Sequence, residues 1–268
     1  NAISILMISK GIKNSNPFSA NLLSTSVQAG ILTALMLSRP PELNWRAVAF
    51  FALGGILALG IGRLLNFVSV DKIGVATSSA IIGSNPLITT LLTILFLGET
   101  VLISTLIGAS LVVTGIYLIS GARAIKGGRG LFIPFLSALS YSSSNIISKM
   151  GLNLQPDPLL SAQIGAVAGV LGFFIYLTLS GKLGEVKADR SSLGFYSIAG
   201  FSSSVGWITL MKAMEMGSVP VVTTIVFSYP IFSLMLSWIF LKGQEDLGKR
   251  VVTGCLIIVS GVIIVTLF

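Results

Sequence analysis

Arg63 is the one charged residue that lies well inside an apolar run; Asp71, toward one end of that run, is eight residues on, about 12 Å at ~1.5 Å per residue. That depth approaches the middle of a hydrocarbon core about 30 Å thick. An arginine there costs at least about 2.5 kcal/mol on insertion scales and cannot shed its proton to escape the cost. Asn66, one turn along on the same face, can offer its carbonyl oxygen, but no carboxylate lies deep enough to be a permanent partner. This leaves two readings. Either Arg63 points into a cavity and engages an anionic substrate group, a carboxylate or a phosphate, or it snorkels or caps backbone carbonyls freed by a neighbouring break. The first is the expectation.

Other polar side chains fall in patterns. Ser137, Ser140, Tyr141, Ser144 and Ser148 are spaced 0, 3, 4, 7 and 11, which puts them on one helical face with Asn145 adjacent. Such a stripe does not face lipid. It lines a water-filled path, the expectation here, or it bonds a neighbouring helix. Asn1 and Ser4 would be the counterpart in the first half. Ser203, Trp207, Met211 and Met214, at 0, 4, 8 and 11, read more as packing than binding. Gly165 and Gly169 form a small-xxx-small pair that predicts a close helix crossing. Pro86 and Pro230 sit inside apolar runs, where each would free the carbonyl four residues back, at Ile82 and Val226. They are candidate hinges or static kinks.

What is missing excludes chemistry. The chain has no histidine and one cysteine, Cys255, so neither a zinc site nor a Ser-His-Asp or Cys-His arrangement can be assembled. No disulfide within the chain is possible. No metal, cofactor or enzymatic activity is expected. All nine Asp and Glu fall at helix ends or loops, which argues against proton-coupled export of lipophilic cations.

The setting for these residues is a lipid bilayer. The sequence is 53% hydrophobic and 10% charged, with a mean hydropathy of +0.95; an ordinary soluble domain is roughly 25% charged. The net charge of +8 does not indicate nucleic acid, because no basic run exceeds Lys249-Arg250. Apolar runs bounded by charges or Pro/Gly breaks predict ten helices, at 1–10 (truncated), 18–38, 46–70, 74–97, 101–120, 131–150, 158–180, 194–216, 219–241 and 247–267. The first is short enough that the chain is expected to start inside it. A β-barrel would show alternating strands of about ten residues instead.

An internal repeat relates the runs. Gly62 and Gly206 are 144 residues apart, as are Pro86 and Pro230, within Ser84-Asn85-Pro86-Leu87 and Ser228-Tyr229-Pro230-Ile231. Glu99 and Glu245, Gly108 and Gly254, and Gly115 and Gly261 are each 146 apart. Across this repeat Trp207 aligns with Arg63 and Tyr229 with Asn85. The predicted organisation is a five-helix repeat at 1–120, a linker at 121–130 and a second repeat at 131–268. Five is odd, so the second repeat enters the membrane inverted, as in many secondary transporters.

The stretch Ser78 to Leu87 leading to Phe96-Leu97-Gly98-Glu99, with Gly108 and Gly115, and its second copy through Ser228-Tyr229-Pro230, Phe240-Leu241, Glu245, Gly254 and Gly261, resembles the EamA-like branch of the drug/metabolite transporter superfamily. The resemblance implies ten helices in two repeats, alternating access through a central cavity, and export or exchange of metabolites in the cell membrane. The expected substrates are small polar metabolites, anionic or zwitterionic, with amino acids and related compounds first. The alternative is phosphorylated or nucleotide-linked sugars; a channel and an intramembrane enzyme are weaker rivals. Candidate substrate contacts are Arg63, Asn66, Ser84, Asn85, Tyr141, Ser144, Asn145, Trp207, Ser228 and Tyr229, with hinges at Pro86 and Pro230. Orientation stays open. Loops after odd-numbered helices hold 12 Lys/Arg against 4 in the others, which puts both termini outside, whereas the resemblance puts them in the cytoplasm.

Overall fold

Lipid cannot hydrogen-bond a bare backbone, so a chain of this composition must close its hydrogen bonds within helices. The computed structural model describes residues 2–12, 14–39, 41–73, 78, 81–98, 100–119, 131–229, 232 and 249–267. Among these all the regular secondary structure is helical. The helices are α1 (Ala2–Ile12), α2 (Pro17–Leu37), α3 (Trp45–Gly55), α4 (Arg63–Ile73), α5 (Asn85–Leu97), α6 (Ile103–Ile119), α7 (Phe132–Leu154), α8 (Pro158–Leu179), α9 (Arg190–Met216), α10 (Val219–Val226) and α11 (Lys249–Leu267). A π-helical segment, Ile56–Gly62, joins α3 to α4.

Several starts are written into the sequence as caps. The side chain of Asn16 accepts from Ser19 N–H, that of Asn44 from Arg46 and Ala47 N–H, that of Asp157 from Leu160 N–H and that of Asp189 from Ser192 N–H. Four stretches are long and apolar enough to cross a bilayer: Pro17–Leu37, Trp45–Val70, Pro158–Leu179 and Lys249–Leu267. α7 and α9 have 23 and 27 residues, but their serines lower the hydropathy. Several of those serines bond across to a neighbouring helix. Ser137 and Ser144 donate to the carbonyls of Gly62 and Gly54, at 2.8 and 2.7 Å.

Glycines set how close the helices come. Gly55 of α3 abuts the backbone of Gly165 in α8, and a Cβ on Gly169 would lie 2.8 Å from the Leu59 Cβ. The close crossing expected from Gly165 and Gly169 is present. α6 and α11 pack along their length: a Cβ on Gly108 would meet the Gly261 carbonyl at 2.6 Å, and one on Gly115 the Gly254 carbonyl at 2.6 Å. Lys149 lies inside α7, as the predicted helix at 131–150 has it. Its ammonium caps the end of α9, donating to the carbonyls of Met214 and Gly217 at 2.6 and 3.0 Å.

The run read as one helix over 74–97 is broken. Ser84 donates both its N–H (3.0 Å) and its hydroxyl (2.7 Å) to the Ile81 carbonyl. α5 then restarts at Asn85 with Pro86 in its first turn. Pro86 is therefore not mid-helix, because its missing N–H falls where a helix has no intrahelical partner to lose. The same turn recurs at Ser228, which donates its N–H (3.1 Å) and hydroxyl (2.7 Å) to the Ile225 carbonyl. Pro230 lies outside the described residues.

Candidate functional site

Arg63 opens α4 directly after the π segment, its N–H bonded to the Ala58 carbonyl five residues back. A π turn widens the helix and re-aims the residues after it, and such turns gather at functional sites. The guanidinium is partly buried and donates from Nη1 to Thr25 Oγ1 (3.0 Å) and Gln28 Oε1 (3.2 Å), both on α2. Asn66 makes no hydrogen bond to Arg63 among the described residues, contrary to the expectation; it lies beside Tyr141. Among the described residues the ion pair is Lys212–Glu215, at the end of α9. Both oxygens on Arg63 are thus neutral, and among the described residues its charge is oriented but not cancelled.

Arg63 borders a cavity of about 150 Å³ between α1, the π segment, α4, α7, α9 and α10, room for about five water molecules at ~30 Å³ each. Six of the ten expected contacts line it: Arg63, Asn66, Tyr141, Asn145, Trp207 and Tyr229. Tyr141 lies against the π segment, where a Cβ on Gly62 would be 3.3 Å from its ring. Trp207 has its Nε1 buried with no acceptor among the described residues.

The other four expected contacts lie outside the lining. Asn85 is fully buried, its Nδ2 donating to the Ala138 carbonyl (3.1 Å) and Ser142 Oγ (2.8 Å). Ser144 is bound to the Gly54 carbonyl, and Ser84 and Ser228 close their own turns. Each of these hydroxyls or amides answers a backbone or side-chain group of a neighbouring turn or helix. Among the stripe of serines on α7, Ser137 and Ser144 glue helices while Tyr141 and Asn145 reach the cavity. Asn1 is outside the described residues. Ser4 lines the cavity and bonds Ser203 across it, Oγ to Oγ at 2.9 Å.

Sequence reasoning missed the hold on Arg63 by Thr25 and Gln28, and the apolar wall formed by Ile5, Phe67, Leu210 and Phe227. Thr25 and Gln28 carried one signal. They stand three apart on one face of α2, 1% and 0% exposed, in a helix long and apolar enough to cross a bilayer.

The family model for EamA-like transporters matches residues 1–121 and 128–267. A stretch of 151 residues is 28% identical to phosphoenolpyruvate/phosphate translocator 3, chloroplastic, of Oryza sativa subsp. japonica, covering 56% of this chain and 38% of that protein. A protein of known crystal structure matches with a TM-score of 0.80 and 18% identity, over 99% of this chain and 92% of its own; that likeness concerns the fold. The chain belongs to the EamA-like transporter family, and is a helical membrane protein of the drug/metabolite transporter type.

Proposed function

We propose that the chain is a secondary transporter that exports or exchanges a small polar metabolite bearing an anionic group, by alternating access across the cell membrane. The observation that carries this is Arg63, a guanidinium bordering the cavity and held by Thr25 and Gln28, two neutral acceptors. An uncancelled charge at such depth is costly unless it is used. A substrate carboxylate or phosphate completes it with a charge-assisted, bidentate hydrogen bond.

Ten helices in two inverted repeats, 1–120 and 131–268 about a linker at 121–130, form the proposed frame. The glycine contacts support it. Gly108 answers to Gly254 and Gly115 to Gly261 in the repeat, and the observed contacts run Gly108 to Gly261 and Gly115 to Gly254, as two antiparallel, two-fold-related helices require. The two separate family matches support it as well. Rocking of the halves would flex the matching turns at Ser84 and Ser228, beside the proposed hinges Pro86 and Pro230.

Carboxylates, including those of amino acids, are the first substrate class. Exchange of phosphorylated compounds is a second reading, favoured by the partial match to a phosphoenolpyruvate/phosphate translocator. Counterflow in proteoliposomes tests the proposal, since a carrier shows trans-stimulated uptake of an anion and a channel does not. Arg63→Gln is expected to fold and lose that exchange. If folded Arg63→Gln exchanges anions as well as wild type, Arg63 is not the anion site.

A further inference from the structure

The cavity is lined by matched positions. Arg63 and Trp207, and Asn66 and Leu210, are each 144 residues apart, the interval that relates the two repeats, and all four border it. So do Leu59 with Ser203 and Ile82 with Val226, at the same interval. The cavity thus draws equivalent places from both halves, and at the first two pairs the sequence puts opposite chemistry in them. The α4 side is cationic and polar, with Arg63 and Asn66, and Tyr141 of α7 beside them. The α9 side offers an indole and an aliphatic side chain.

From this opposition we propose that the cavity selects organic monoanions with an apolar or aromatic body, the charge held at Arg63 and the body packed on Trp207 and Leu210. The proposal rests on the transporter reading above and narrows its substrate class.

Three observations favour it over the neighbouring classes. Arg63 is the one cationic side chain in the lining among the described residues, so a phosphate dianion would keep an uncancelled charge in a low-dielectric site. The lining holds no carboxylate among the described residues, so the ammonium of a zwitterion finds no ionic partner. Between them Trp207 and Leu210 offer a single donor, the indole N–H, to the several hydroxyls of a sugar, and an unpartnered buried hydroxyl is penalised. An aromatic or branched body gains there by apolar burial and by offset stacking on Trp207. The cavity's size suits a molecule of roughly ten non-hydrogen atoms, about one ring and a short carboxylate arm.

The test is counterflow of labelled 3-phenylpropionate by the full chain in proteoliposomes, with propionate, inorganic phosphate, glucose 6-phosphate and phenylalanine as competitors. Wild type should prefer 3-phenylpropionate to each of the others by about tenfold or more. Trp207→Ala should shrink the preference over propionate to roughly threefold or less, and Trp207→Phe should keep most of it. Thermal unfolding of both variants checks folding, and the wild-type ranking decides if Trp207→Ala does not fold. Preference for phosphate, glucose 6-phosphate or phenylalanine, or an unchanged ratio in folded Trp207→Ala, overturns the proposal. If phosphate is preferred and its exchange dies in Arg63→Gln, the transporter reading stands while this inference falls. If wild type exchanges no anion at all, both fall.

Discussion

Arg63 was conspicuous in the sequence because a charge in an apolar run is rare. Its partners were not, because Thr25 and Gln28 are 38 and 35 residues away in the chain and only packing of α2 on α4 brings them together. Gln28 is fully buried, and its Nε2 lacks a partner among the described residues, so the side chain is held by what its oxygen accepts from Arg63. Replacing Gln28 with Leu or Thr25 with Val removes an orienting acceptor while leaving the charge. Half-saturation for an anionic substrate should rise roughly three- to tenfold in each, the weight of one modest hydrogen bond, with less change in maximal rate. Unchanged half-saturation in both folded variants would mean that α2 does not position the guanidinium. A guanidinium stays charged across the accessible range. Anion affinity should therefore stay flat from about pH 6 to pH 9 for a carboxylate substrate, which ordinarily ionises near pH 4. A titration within that window would point to another group. Four of the expected contacts lie elsewhere for a related reason: Ser84, Asn85, Ser144 and Ser228 are as polar as those that line the cavity, but nearby backbone or side-chain groups take up their hydrogen bonds.

The helices themselves were largely legible from apolar run length, since a bilayer dictates about 20 residues per span. The π segment at Ile56–Gly62 was not, because a one-residue shift of hydrogen-bond register leaves hydropathy untouched. The turn at Ser84 escaped for the opposite reason, since apolar residues on both sides hid a backbone break whose sole mark was Pro86. Packing at the glycines gives a direct test. Gly115→Ala would drive a methyl to 2.5 Å from Ile258 Cγ1 and 2.6 Å from the Gly254 carbonyl, and overpacking of this kind costs about 1–3 kcal/mol. Gly30→Ala meets nothing within 4 Å and should be neutral or stabilising by up to about 1 kcal/mol. Thermal unfolding in detergent should separate the two; equal melting would deny the tight α6–α11 contact. At the start of α9 the hydroxyl and N–H of Ser192 hold the Asp189 carboxyl below its ordinary range. Its ionised form is the one the fold favours, so its contribution is complete above the ordinary carboxylate value near 4 and is lost as pH falls through the depressed one. Asp189→Asn keeps a cap without that acid dependence, and Asp189→Ala loses both.

The two halves do not form separate bodies. α3 packs on α7 and α8, while α9 packs on α1 and α2, so helices from before and after residues 121–130 interleave. Polar links cross in the same way: Ser137 to Gly62, Ser144 to Gly54, Asn85 to Ser142, Gln163 to Thr33, Ser19 to Lys187 and Ser4 to Ser203. The main apolar core mixes Leu32, Phe51 and Leu59 with Ile146, Leu160 and Met211. Within lipid there is little hydrophobic drive to bring helices together, so packing and these hydrogen bonds must do so, and individually they are weak, about 0.6 kcal/mol on average. A half alone would keep its helices but lose every cross-link named here, including the serine bonds to the Gly54 and Gly62 carbonyls and the close packing of Gly55 on Gly165. Residues 1–120 or 131–268 expressed alone should therefore be degraded or aggregate, whereas both expressed together should assemble and recover anion exchange, since a break at 121–130 severs none of these contacts. Co-purification of the two pieces and counterflow after reconstitution measure the outcome. A stable, folded first half that forms a cavity without its partner would show that the interleaving is incidental to the fold.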